Sequence, residues 1–70
     1  MEVNVERLKT LRQLRAMSQQ ELSEASGVGR ATISRLEQGE TEAHGRTLRR
    51  LAKTLGVGVE ELVKVRSVDG

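Results

Sequence analysis

The chain has 70 residues, with 12 Lys and Arg against 10 Asp and Glu, a single His, and no Cys, Pro, Phe, Tyr or Trp. A chain this short hides only about 60% of its unfolded surface, so it reads as one domain over residues 1–70 with a thin aliphatic core and no room for a separate catalytic domain. Without Cys, and with His44 alone, it can build neither a disulfide framework nor a zinc site, and without aromatic rings it lacks the platforms that stack single-stranded bases.

Apolar residues recur at helical spacing along the whole chain, which predicts an all-α fold. A first helix is expected from Val5 to Arg15, capped by Asn4, with Leu8 and Leu11 as its apolar stripe and Val5 and Leu14 extending it. Ser18-Gln19-Gln20-Glu21 is a capping box, flanked by Met17 and Leu22 at the positions of a hydrophobic staple. The second helix therefore starts there, continues through Leu22 and Ala25, and stops at Gly27, which supplies a left-handed residue. Gly29 caps a third helix over Arg30 to Gln38, with Ile33 and Leu36 facing inward and Gly39 as its stop.

The stretch from Glu40 to Gly45 reads as a loop. A fourth helix begins near Arg46, with Leu48, Leu51, Ala52 and Leu55 on one face and Gly56 at its end. A short fifth helix is expected from Val59 to Lys64, capped by Gly58, with Leu62 and Val63 inward. The core then covers about residues 5–64, and 65–70 is a frayed tail. The longest apolar runs are a few residues, so no stretch resembles a signal peptide or a membrane span, and the chain is expected to be soluble and cytoplasmic.

Net charge is only +2, but it is unevenly spread. Arg7 to Arg35 holds six basic residues against two acids, Glu21 and Glu24. Most of the cations are Arg, whose planar fork suits guanine edges and phosphates. The informative segment is Gln19 to Leu36. Two short helices meet at Gly27, Ser23 is small where a larger side chain would push them apart, and Val28, Ile33 and Leu36 fix the third helix across the second. That geometry leaves an outer face of Arg30, Ala31, Thr32, Ser34 and Arg35 free, with long donors, small groups and no large apolar side chain. Such a face can enter a major groove.

The series Ser18-Gln19-x-Glu21-Leu22-Ser23, Gly27-Val28, Thr32-Ile33-Ser34-x-Leu36-Glu37-x-Gly39 and Leu48-x-x-Leu51-Ala52-x-x-Leu55-Gly56-Val57 resembles the Cro/phage-repressor (XRE-type) helix-turn-helix family over roughly Val5 to Val63. The resemblance implies a compact five-helix bundle like the lambda-repressor DNA-binding domain, which binds double-stranded operator DNA, commonly as a homodimer. It implies that Gln19 contacts a phosphate and braces the third helix. Arg30, Ala31 and Arg35 lie against base edges, and Thr32 and Ser34 lie at the groove wall. Arg12 pairs with Glu37, and Gln38 and the Gly39 amide approach a phosphate. The dimer surface it implies holds Val57, Val59, Leu62, Val63 and Val65. The chain departs from the family's usual pattern at Ser23, at Gly29 and in the acidic run Glu40-Thr41-Glu42, where basic residues are common; Arg46 is a candidate substitute for the phosphate contact there.

The expected function is a transcriptional regulator, a repressor acting on a palindromic operator. The alternative is a protein-interaction module of the same fold, an antitoxin or coactivator piece; an apolar outer face on the third helix would favour it. Arg46, Arg49, Arg50 and Lys53 read as a solvated face of the fourth helix. No cofactor, metal site, small-molecule substrate or membrane partner is expected, and the serines have no acid–base partners that would make an enzyme.

Overall fold

The computed structural model describes residues 1–64, which form four α-helices and one 3-10 turn. These are α1 (Val5–Leu14), α2 (Gln19–Ser26), α3 (Arg30–Glu37), α4 (Gly45–Leu55) and the turn at Val59–Glu61. Local chemistry sets the boundaries. The Asn4 side chain accepts from the Arg7 amide at 3.1 Å. Both arms of the capping box close on α2, Ser18 Oγ accepting from the Glu21 amide at 3.0 Å and Glu21 Oε1 from the Ser18 amide at 2.8 Å. Gly27 takes φ +76° at the end of α2.

The other two glycine stops use a different closure. At α3 the Glu40 amide donates to the Arg35 carbonyl and the Gly39 amide to the Leu36 carbonyl, with Gly39 at φ +73°. At α4 the Val57 amide donates to Ala52 and the Gly56 amide to Lys53. Both are Schellman motifs, which satisfy carbonyls that a helix end otherwise leaves open.

The core is aliphatic. Leu8, Leu22, Ile33, Leu36, Leu48, Leu51, Leu55 and Leu62 are fully buried, with Val3, Leu11, Val28, Ala43 and Ala52 around them. It holds α2 against α3 and α4, α1 against α3, and α4 against the 3-10 turn. Burying each large aliphatic side chain contributes about 1.5–3 kcal/mol.

Three expectations are corrected. The fifth helix is only a three-residue 3-10 turn. In an α-helix the Lys64 amide would go to the Glu60 carbonyl; here it goes to the Glu2 carbonyl at 2.9 Å, and Val63 pairs with Val3 in an isolated antiparallel bridge. Pairing with the N-terminal segment therefore replaces the second helical turn. The same clip brings Val3 into the core, so the core begins before residue 5. Leu14 is 70% exposed and does not extend the apolar stripe. It lies about 120° around the helix from Leu8, off the face that Leu8 and Leu11 share. The expected tail, 65–70, lies outside the described residues. Among the described residues no helix is long and apolar enough to cross a membrane.

Candidate nucleic-acid interface

A three-residue turn, Gly27-Val28-Gly29, joins α2 to α3, and Val28 is buried beneath it. Ile33, Leu36 and Glu37 are the buried residues of α3. With those three turned inward, Arg30, Ala31, Arg35 and Gln38 are exposed and Thr32 and Ser34 half-buried. Of the expected contact residues on this helix, Ala31, Arg35 and Gln38 face away from the buried anchors, Ser34 and Thr32 flank that face, and Arg30 is exposed at the first turn, on nearly the same side as Glu37. Neither Arg30 nor Arg35 enters an ion pair among the described residues. Gly29 offers no side-chain cap, so the first amides of α3 remain open to an external acceptor. Thr32 and Arg35 share a shallow depression with Glu42, Ala43 and Thr47, so the start of α4 adjoins the outer face of α3.

Glu37 fixes the orientation of this helix. It is only 4% exposed, and its carboxylate accepts from Arg12 Nε at 2.6 Å, Arg12 Nη2 at 2.9 Å and Gln19 Nε2 at 3.2 Å. Arg12 Nη1 also donates to the Met17 carbonyl at 2.8 Å. One buried carboxylate thus joins α1, α2 and α3. Burial pushes the Glu37 carboxyl up; the hydrogen bonds from Arg12 and Gln19 and the charges of Arg12 and Lys9 outweigh it, and the net shift is downward. The hydrogen bond to Glu37 raises Arg12 in turn, against the opposing effect of burial. The fork geometry is the bidentate arrangement in which Arg and carboxylate bind most strongly.

Gln19 is half-buried at the start of α2 and braces α3 through Glu37. Gln38 donates to Ser34 Oγ at 3.0 Å, which ties two of the expected contact residues to each other. The Gly39 amide is not free for a phosphate, because the Schellman closure sends it to the Leu36 carbonyl at 3.2 Å. Leu62, expected on a dimer surface, is fully buried, whereas Val57, Val59 and Val63 are partly buried at the edge of the core. Val65 lies outside the described residues.

Sequence reasoning missed the support beneath the loop that follows α3. Ala43 is buried, and its amide donates to the Met1 carbonyl at 3.1 Å. This contact joins residues far apart in sequence and has no periodic signature. Among the described residues there is no group of acidic, His or Cys side chains that could hold a metal ion.

The helix-turn-helix family model HTH_3 matches residues 8–62. Among solved structures the chain is similar to an HTH_3 family transcriptional regulator from Vibrio cholerae, at 28% identity and a TM-score of 0.77, over 81% of this chain and 32% of that one. It is also similar to the restriction-modification controller protein C.AhdI from Aeromonas hydrophila, at 28% identity and a TM-score of 0.78, over 81% of this chain and 86% of that one. The chain thus spans about a third of the Vibrio cholerae protein. No curated protein sequence matches it.

Proposed function

Because the chain belongs to the HTH_3 helix-turn-helix family, we propose that it reads double-stranded DNA through α3 and represses transcription from a palindromic operator. The observation that carries this reading is the outer face of α3. It is polar and small-featured, carries Arg35 and, at its first turn, Arg30, neither in an ion pair among the described residues, and is held rigid from behind by the buried Arg12–Glu37 pair. Arg30 and Arg35 are suited to guanine edges, and the Ala31 methyl to thymine methyls. Thr32 and Ser34 serve the groove wall, and Gln19 and Gln38 the phosphates that set register. An apolar stripe in their place would have fitted a protein partner; none is present on that face.

An eight-residue helix is about 12 Å long and spans only a few base pairs, too few to select one site from a genome. A homodimer related by a two-fold axis reads two half-sites whose centres are about 10–10.5 base pairs apart. Val57 and Val59, at the edge of the core beside the 3-10 turn, are the surface proposed for that pairing. The patch is small, so pairing is expected on DNA more than free in solution. Such a repressor acts in the cytoplasm, by excluding polymerase from the operator.

Selection of bound sequences from a random duplex pool, followed by a footprint of the winner, tests the reading. A two-lobed palindromic footprint that Val59→Glu abolishes, with circular dichroism unchanged, supports it. A footprint with one lobe that ignores Val59→Glu refutes the dimer. The absence of any preferred duplex refutes the DNA reading.

A further inference from the structure

Residues 1–4 join two parts of the molecule that the proposed function uses separately. On one edge of this clip the Met1 nitrogen donates to the Ala43 carbonyl at 2.8 Å, and the Ala43 amide donates to the Met1 carbonyl at 3.1 Å. On the other edge the Asn4 amide donates to the Leu62 carbonyl and the Lys64 amide to the Glu2 carbonyl, both at 2.9 Å. Val3, between them, is buried in the core. The clip therefore sits between the loop before α4 and the segment after the 3-10 turn, and is hydrogen-bonded to both.

Each neighbour leads to one half of the proposed function. Ala43 lines a depression with Thr32 and Arg35 of α3, so a duplex seated on α3 lies beside the loop that the clip holds. On the other side the Leu62 amide donates to the Val59 carbonyl at 2.9 Å. A second copy seated on Val59 therefore bears on the segment that holds the clip's other edge. When the clip leaves, the Ala43 amide and carbonyl, the Leu62 carbonyl and the Lys64 amide lose these partners, and space opens in the core where Val3 stood. The loop and the segment after the turn then loosen together.

Docking of the clip is narrowly balanced. Fixing four residues costs backbone entropy at each one, and it is offset by two hydrogen bonds on each edge and one buried valine. The clip belongs to no helix, so no local ladder of hydrogen bonds holds its shape once it leaves. It is the kind of segment that opens ahead of a helical core. A site that needs the loop ordered and a site that needs the turn ordered both favour the docked clip, so each favours the other.

We infer that the N-terminal clip couples the pairing of two copies to DNA binding. This rests on the proposed reading of DNA by α3 and of pairing through Val59, and adds how the two are linked. Free in solution, each copy must dock its own clip before the two surfaces fit. On DNA the clip is already docked, so the same surfaces pair more strongly there.

The test locks the clip. Val3 and Val63 form the non-hydrogen-bonded kind of antiparallel pair, whose Cα atoms lie about 4.5 Å apart, within the span of a disulfide. The chain has no Cys of its own. A Val3→Cys/Val63→Cys variant is closed with oxidised glutathione and reopened with dithiothreitol, so any damage from the substitutions is common to both forms. Two constants are measured: affinity for a duplex with one half-site of the selected operator, and self-association of the free protein by sedimentation equilibrium. Affinity scales with the docked fraction, so a clip docked about half the time gives about a twofold rise in half-site affinity on locking. Self-association should rise by the square of that factor, about fourfold, because each dimer docks two clips. Lys64→Pro removes one of the hydrogen bonds without touching a core side chain, and should lower the two constants by about threefold and tenfold. The half-site duplex should also slow hydrogen exchange at the Lys64 amide, on the dimer side of the clip.

A locked protein that only melts higher, with both constants unchanged, overturns the inference and leaves the clip a fastener. A rise in half-site affinity without a rise in self-association overturns it too, as does the absence of self-association in the locked form at the highest soluble concentration. Failure of the disulfide to close within one chain overturns the pairing of the clip itself. If no operator is selected, the α3 reading fails and the coupling falls with it. An operator bound with its base preference intact, and indifferent to the lock, refutes the coupling alone.

Discussion

Replacing Glu37 by Gln should cost far more than its single-atom change would imply. The carboxylate is buried, accepts three hydrogen bonds, and faces an Arg12 side chain that is itself only 12% exposed. Gln keeps the volume but removes the charge, and it turns an NH2 group toward donors on Arg12 or Gln19. Arg12 is left charged, poorly hydrated, and bonded only to the Met17 carbonyl. Breaking a buried pair from one side costs about 3–5 kcal/mol. A 70-residue domain holds about 4–10 kcal/mol in total, so the loss is about half of its stability. With no aromatic side chain the assay is far-ultraviolet circular dichroism in urea. The expected result is a large fall in midpoint with an unchanged slope. Removing both partners, Glu37→Leu with Arg12→Met, should restore most of the loss, because no buried charge is then left alone. A Glu37→Gln protein within about 1 kcal/mol of the wild type would refute the view that this carboxylate holds three helices together.

Acidification should reproduce part of that loss. The Glu37 carboxyl is lowered in the folded chain, so its contribution is present above the unfolded carboxylate value and disappears as pH falls through the folded one. Urea midpoints of wild type and Glu37→Gln, measured from neutral pH downward, should converge on the acid side; parallel curves would contradict this. Gly27→Ala should destabilise by about 1–2 kcal/mol, and purely through the backbone, since φ is +76° and a Cβ there would meet nothing within 4 Å. Gly29→Ser should instead stabilise by a few tenths of a kcal/mol. Its φ is −58°, no side chain caps α3, and a Cβ meets only Thr32 Oγ1 at an ordinary 3.7 Å. A less stable Ser variant in the same melts would count against Gly29 as the cap.

Much of the fold was legible because it is local. The capping box at Ser18–Glu21, the glycine stops, and the Leu and Ile spacings of α1 to α4 each act within a few residues, and helix ends match expectation to within one position. The Arg12–Glu37 pair came only through family resemblance, since a bond between residues 25 apart leaves no spacing signal. The N-terminal clip was illegible for the same reason: one residue pair, Val3 with Val63, has no period. It also explains why the sequence overstated the fifth helix, whose local pattern was sound until a distant backbone took the Lys64 amide. Ala16, at φ +53°, is a non-glycine residue in the left-handed region just after α1, where sequence gave no warning of a turn. In the candidate interface, the exposure of Arg30, Ala31, Arg35 and Gln38 was readable from helical spacing. The engagement of the Gly39 amide in its own helix closure was not.

The division of labour between α3 and the start of α2 is tested most directly by base-preference profiles of Arg30→Ala, Arg35→Ala and Gln19→Ala, taken over every single-base change in the selected operator. Each Arg variant should lose about 1–3 kcal/mol of discrimination at particular base pairs and little elsewhere. Gln19→Ala should weaken all sequences by one common factor. Arg variants that keep the wild-type profile, beside a Gln19 variant that changes it, would place the reading surface somewhere other than the outer face of α3.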